Sequence, residues 1–296
     1  MNQRSAGVIG VGNMGLAMAA RLGESGRPVF VRDVRADREA MAERGGATPC
    51  ATPAALARRC EVVIVAVVDA EQAGAVLFGR DGVAAAAAPG ACVVLCPTIA
   101  PESVGAIAAR LDELGIDWIE APMSGGPARA RAGTMSLMVA CRDPVFERHA
   151  ALLAALADPV FRLGERAGDG ARTKLVNNLL AAINLAGAAE ALALAERVGL
   201  EPARTLAVIE RSSGQSWIGS DRLARAIAGD TAPRAHAALL AKDSRLAMAM
   251  AAAAGAEARL GALAAATFAE AVAAGRGDLD DSCLFELMRA GRCPPR

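Results

Sequence analysis

The 296-residue sequence predicts two architectures in series: a doubly wound α/β domain over residues 1–164, then an all-α domain over 165–296. Short apolar runs alternate with helical segments through the first half, the order that builds a parallel sheet covered on both faces. One run, 62–68, is an unbroken stretch of Val, Ile and Ala, as expected of a strand buried on both sides. Beyond about residue 165 the β-branched runs give way to Ala, Leu, Glu and Arg at helical spacing.

The elements follow in order. Residues 7–11 read as a first strand, 14–25 as a helix and 28–31 as a second strand. Strands at 62–68 and 91–95, and a shorter one near 117–121, are separated by helical segments near 35–44, 53–59, 71–77 and 101–114. The helix predicted over 170–198 is more than twice the mean helix length of about 11–12 residues. Gly199 suits its C-terminal cap, and Pro202 suits the first turn of the next helix.

Composition removes several function classes. With 54% hydrophobic residues the chain has enough apolar side chains for a sizeable core. Lys plus Arg (32) balance Asp plus Glu (32), and the arginines are scattered, so no nucleic-acid partner is expected. Seven cysteines (50, 60, 92, 96, 141, 283 and 293) form no Cys-x-x-Cys pair; reduced thiols and a cytoplasmic location are expected. Two histidines, neither near a cysteine cluster, give no expectation of a metal site. The start of the chain is polar, and the alanine runs at 84–88 and 249–254 are interrupted before they would span a bilayer, so neither an export signal nor a membrane partner is expected.

Three constellations carry chemistry. Gly10-Val11-Gly12-Asn13-Met14-Gly15 follows the first strand at the mouth of a helix, where glycines let backbone approach a pyrophosphate that then meets the amides and positive dipole of the helix start. Asp33 ends the second strand about 20 residues on, where a carboxylate accepts hydrogen bonds from a ribose 2'-hydroxyl and repels a 2'-phosphate. NAD is therefore expected as the cofactor, with NADP kept as the lesser alternative by Arg32 and Arg35.

Lys174 and Lys242 are the only lysines among 32 basic residues. Arginine holds its proton at any workable pH, whereas a lysine amine exchanges it once its surroundings lower its pKa. On a helix Lys174 and Asn178, four residues apart, share a face, while Leu175, Val176 and Leu179 are expected to face the core. Lys174 is thus a candidate acid/base. At Ser124-Gly125-Gly126, a hydroxyl and two glycine amides suit a carboxylate.

Together these residues resemble the β-hydroxyacid dehydrogenase family, which includes 3-hydroxyisobutyrate dehydrogenase and tartronate semialdehyde reductase. The likeness rests on the Gly10 to Gly15 fingerprint, Thr98-Ile99-Ala100-Pro101, the Ala121-Pro122-Met123-Ser124-Gly125-Gly126 loop, the Lys174 to Asn178 run and Ala241-Lys242-Asp243. It implies a Rossmann-type domain followed by a helical one, and oxidation of a small 3-hydroxy acid or reduction of the matching carbonyl compound. By the same likeness Lys174 is the acid/base with Asn178 as its orienting partner, and Ser124, Gly125 and Gly126 grip a small carboxylate substrate. Asp243 is placed with that substrate, and Trp217 is a candidate wall of its pocket. Thr98 and Lys242 lie by the nicotinamide ribose, and Val67 and Val68 cover the cofactor.

Where members commonly carry Asp-Ser-Ser-Thr, this chain reads Leu95-Cys96-Pro97-Thr98, which removes a hydroxyl and an amide donor. Ser213 to Trp217 and Gly229 to Arg234 look more like the threonate dehydrogenase branch, pointing to a more hydroxylated acid.

Two alternatives stand beside this reading: imine reduction on the same fold, against which retained Lys174 argues, and a cofactor-binding regulatory protein without turnover. The absence of tyrosine removes a Tyr/Lys proton relay. Ala and Gly along 181–195 allow close helix approach, so a homodimer or homotetramer is expected through this region.

Overall fold

β1 (Ala6–Ile9) is buried throughout and leads through the glycine turn into α1 (Asn13–Glu24). β2 (Val29–Arg32) lies parallel beside β1, followed by α2 (Ala36–Arg44) and a two-residue β3 (Thr48–Pro49). α3 (Pro53–Ala57) starts with Pro53 and is capped by Thr52, which accepts the Ala55 amide. β4 (Val62–Val65), α4 (Ala70–Phe78), β5 (Cys92–Leu95), α5 (Pro101–Glu113) and β6 (Asp117–Glu120) continue the alternation. The chain then departs from pure alternation through β7 (Met123–Ser124), α6 (Gly126–Ala132), β8 (Met135–Ala140), α7 (Asp143–Leu156) and β9 (Ala157–Gly164).

The computed structural model describes residues 5–291, leaving Cys293 and residues 1–4 outside the description. It divides into two compact units at Lys174/Leu175, inside a helix. In the first unit the sheet order is β3-β2-β1-β4-β5-β6-β8-β7, with β9 beside β8. Strands are parallel from β3 to β6, β8 runs antiparallel to β6 and β7, and β9 is parallel to β8. Val8, Ile64, Val94 and Ile119 line the centre, and Met18, Leu22, Leu56 and Leu111 close the faces, all fully buried. Each such side chain contributes roughly 1.5 to 3 kcal/mol of transfer free energy.

The predicted strand over 62–68 ends at Val65. One further ladder bond, from the Ala66 amide to the Ile9 carbonyl, closes it, and Val67 and Val68 leave the sheet as a loop.

The second unit begins within α8 (Asp169–Arg197) and continues with α9 (Pro202–Ile209), α10 (Trp217–Ile227), α11 (Ala237–Ala253), α12 (Arg259–Ala271) and α13 (Cys283–Arg289). Among the described residues it has no strand; an isolated bridge pairs His236 with Asp280. Ala182, Leu185, Ala189 and Leu192 form the α8 stripe of its core, against Leu223, Phe268 and Phe285. By length and composition α8 is apolar enough to cross a membrane, but this stripe gives it a place in a packed interior. Because α8 is apolar on nearly every side, its buried face is poorly marked: Leu175 is buried as expected, whereas Val176 is 60% exposed.

A buried ionic cluster ties α10 to the segment before α13. Asp280 accepts Nη2 of Arg225 at 2.9 Å, the Arg234 amide at 2.8 Å and the Ser282 amide at 3.2 Å, and Arg222 Nε reaches Asp281 at 2.6 Å. Burial alone would push the Asp280 carboxyl up, but its donors on Ser282, Arg234 and Arg225 outweigh that and hold it at about 2. A depression from 3.8 to about 2 corresponds to roughly 2 to 3 kcal/mol of linked stability. Because the folded-state value is the lower one, this stability is present above pH 4 and disappears as pH falls towards 2. Asp280→Asn is expected to lower Tm by several degrees at pH 7, with the gap to the unaltered protein narrowing below pH 4; a pH series of thermal melts checks this.

Candidate functional site

In the first unit the predicted cofactor residues gather at the carboxyl ends of β1, β2, β4 and β5, the edge at which parallel sheets bind ligands. A Cβ on Gly15 would lie 1.9 Å from the Gly10 carbonyl oxygen, so only glycine permits this turn. A Cβ on Gly12 would meet nothing within 4 Å, and no side chain caps α1 at that residue, leaving an open approach to the helix start. These two observations fit a dinucleotide: a turn too tight for side chains that opens where a pyrophosphate would lie.

Asp33 is held from both sides. Its Oδ2 accepts the Val11 amide at 2.7 Å and its Oδ1 the Arg35 amide at 2.9 Å, which fixes the carboxylate beside the glycine turn. The flanking arginines are occupied by acids. Arg32 pairs with Glu39 at 2.8 Å, and Glu39 also accepts the Asp33 amide; Arg35 holds Asp37 with two bonds of 3.1 and 2.7 Å. Asn13 Oδ1 accepts Arg38 Nη1 at 3.4 Å, and Met14 follows it in the first turn of α1.

Val67 is half-buried and Val68 largely exposed; the Val68 amide donates to Gln72 Oε1 at 3.0 Å, which anchors this loop to α4. Thr98 is half-buried after β5, and beside it Cys96 and Pro97 are buried. Burial pushes the Cys96 thiol up to about 12, so it is an inert filler here. Ser124 ends β7, with its carbonyl accepting the Ser136 hydroxyl, and Gly125 and Gly126 open α6 with positive φ. Space around Gly126 is open.

Lys174 lies in the second turn of α8 and is only 7% exposed, one of few charged side chains so buried in this protein. A residue that the motifs do not mark acts on the same helix. Glu120, the last residue of β6 and also buried, accepts the amides of Gly168 at 2.8 Å, Gly170 at 3.2 Å and Ala171 at 2.5 Å. The only sequence signal was an acid immediately before Ala121-Pro122, at the entrance to the Ser-Gly-Gly loop. β6 therefore supplies the anchor for α8 and continues directly into the candidate carboxylate loop.

In the second unit Asn178, Asp243 and Lys242 come together. Asn178 Nδ2 donates to Asp243 Oδ2 at 2.6 Å, Lys242 Nζ stands 3.3 Å from Asp243 Oδ1, and Asn177 Nδ2 donates to Asn178 Oδ1 at 3.1 Å. The Asn178 amide is thus fixed at both ends. Trp217 opens α10 half-exposed, with Arg222 over its ring at 6.0 Å and Ser216 capping the Gly219 amide. Among the described residues no group of three or more His, Cys, Asp or Glu is placed to hold a metal ion.

Comparison with known proteins agrees with this geometry. Residues 5–164 match the family described as the NAD binding domain of 6-phosphogluconate dehydrogenase, and residues 168–288 the family described as NAD-binding of NADP-dependent 3-hydroxyisobutyrate dehydrogenase. The chain is 39% identical to an L-threonate dehydrogenase of Cupriavidus necator, over 96% of each chain. The crystal structure of a 3-hydroxyisobutyrate dehydrogenase from Salmonella typhimurium superposes with a TM-score of 0.90 at 31% identity, covering 96% of this chain and 100% of that one. Psf3 in complex with NADP+ and 2-OPP gives a TM-score of 0.90 at 29% identity, over 96% of this chain and 99% of that one. An N-terminal parallel-rich sheet holding a dinucleotide turn, an all-helical second half and relatives this similar along their whole length mean that the chain belongs to the β-hydroxyacid dehydrogenase family and is an NAD(P)-binding oxidoreductase of hydroxy acids.

Proposed function

We propose that the protein oxidises a small 3-hydroxy acid with NAD, or reduces the matching carbonyl compound, with Lys174 as acid/base. The observation that carries this reading is the near-complete burial of Lys174 in a chain where all but two of the 32 basic residues are arginine. Burial disfavours the charged form of an amine, and lysine can give up and regain its proton where arginine cannot. The similarity to an L-threonate dehydrogenase makes a polyhydroxylated four-carbon acid the first substrate to test.

When bound, NAD supplies the hydride acceptor at its nicotinamide ring. The Gly10, Gly12 and Gly15 turn, with Asn13 and Met14, holds the pyrophosphate, while Asp33 accepts the adenosine ribose hydroxyls. Val67 and Val68 would cover the cofactor, and Thr98 and Lys242 would lie by its nicotinamide ribose. Ser124 and the amides of Gly125 and Gly126 grip the substrate carboxylate, with Trp217 as a wall of the pocket. Lys174 removes the hydroxyl proton as the C–H bond yields its hydride, leaving a carbonyl; in the reverse direction it returns that proton. Asn178 orients the amine and substrate, and Asp243, bonded to Asn178, holds the amide in place. NAD is preferred over NADP because Asp33 presents negative charge and both neighbouring arginines are already paired with acids.

We read the chain as a homo-oligomer. Val176, Leu180, Leu194 and Val198 are exposed along α8 and its end, with Gly187 and Ala191 between them, a seam that suits a second copy of the chain.

Three measurements test these readings. Lys174→Arg and Lys174→Ala are expected to lower kcat by about 100-fold or more while NAD affinity stays within about two-fold; normal turnover by Lys174→Arg ends the assignment. A screen of threonate, 3-hydroxyisobutyrate, glycerate, serine and 4-hydroxybutyrate with NAD and NADP is expected to favour NAD, and Asp33→Ser to erode that preference by about ten-fold or more in kcat/KM. With threonate, identifying the product also shows which hydroxyl-bearing carbon is oxidised. Light scattering at micromolar concentration is expected to give a dimer or tetramer, with Leu180→Glu shifting it towards monomer.

A further inference from the structure

Glu120 makes a contact that helix capping alone does not call for. The start of a helix leaves several amides without partners inside it, and short Ser, Thr, Asp or Asn side chains at the helix itself commonly satisfy them. At the start of α8 the Asp169 amide is taken by the Arg166 carbonyl, while the amides of Gly170, Ala171 and the preceding Gly168 are taken by a carboxylate from another element, the end of β6. The approach is close. A Cβ on Gly170 would stand 2.8 Å from the Met138 carbonyl oxygen and 2.9 Å from the Glu120 carboxyl carbon, so glycine is needed for the helix to rest against the sheet here. Lys174 follows Gly170 by four residues, on the same face and about 6 Å along the axis.

We propose that Glu120 is a positioning residue for Lys174: it pins the first turn of α8 to the end of β6 and supplies the negative charge one turn before the amine. This rests on Lys174 being the acid/base. Across the sheet Glu120 is flanked by Leu95 and Ala140. Arg142 and Arg148 of the neighbouring α7 segment are engaged by Asp117 at the opposite end of β6. The acid that faces Glu120 from α8 is Asp169, itself paired with Arg166 and Arg172. Burial raises the Glu120 carboxyl above its ordinary value even though three amides stabilise its anion.

Charge and position are separable by experiment. An anion one turn from the amine favours its protonated form, so the oxidation rate, which needs the free amine, rises with pH later than it would without that anion. Glu120→Gln is expected to move the midpoint of that rise to lower pH by about half a unit or more and to lower the plateau kcat by about ten-fold. Glu120→Asp, which keeps the charge on a shorter arm, is expected to lower kcat and leave the midpoint in place. In both, NAD affinity measured by NADH fluorescence stays within about two-fold. A Glu120→Gln profile with the unaltered midpoint overturns the proposal, as does a loss of kcat matched by an equal loss of NAD binding. If Glu120→Gln does not fold, Gly170→Ala, whose methyl forces the helix off its seat, is expected to lower kcat by about ten-fold with NAD binding kept; unchanged kcat overturns the proposal. Lys174→Arg in the same assay separates the two ideas. Normal turnover there defeats the acid/base reading itself, whereas an inactive Lys174→Arg with an unmoved Glu120→Gln profile defeats only the role of Glu120.

Discussion

The first turn of α8 lies against the end of β6 without a Cβ between them, and that close approach fixes where the helix start stands in the first unit. Gly170 makes room, the Glu120 carboxylate fills the partnerless amides, and Lys174 follows one turn later, withdrawn from water. Helix start and strand end are joined by three hydrogen bonds to one charged group, each of them stronger than a neutral pair. The same strand end runs on into Ser124, Gly125 and Gly126, so the helix carrying the proposed acid/base and the loop proposed to hold a carboxylate are built from one anchor.

At the other side of the sheet a second set of constraints prepares for the cofactor. Gly15 sits where any side chain would strike the Gly10 carbonyl, and the Val11 and Arg35 amides hold Asp33 in one orientation. Beside it Arg32 pairs with Glu39 and Arg35 with Asp37. In the second unit, Asn178 is held by Asp243 on one side and Asn177 on the other, an arrangement that fixes an amide rather than leaving it to rotate.

Much of this was legible in the sequence because local rules dominate where it mattered. Unbroken apolar runs announced β4 and β5, glycine spacing announced the turn before α1, and the long Ala and Leu segment announced α8. What escaped notice depended on distant partners. β8 and β9 pair with each other at the sheet's far end without a strong alternation of their own, and the loop at Val67 and Val68 continues the composition of β4 although the ladder stops. Val176 was assigned to the core because α8 is apolar around its circumference, so its sequence does not mark which face is covered. Glu120 was invisible for the same reason: nothing near it in the chain reveals that its partners are amides about fifty residues later. Of the candidate site, the dinucleotide turn with Asp33 could be read directly, whereas the link from Asn178 to Asp243 required the folded second unit.

Proton exchange between the Lys174 amine and the substrate hydroxyl is open to direct inspection in a crystal structure of the protein with NAD and L-threonate, or whichever hydroxy acid reacts fastest. Lys174 Nζ is expected within about 2.6 to 3.2 Å of the hydroxyl on the carbon that faces the nicotinamide. An amine turned away from that hydroxyl, with another titratable group in its place, would rule out Lys174 as the acid/base.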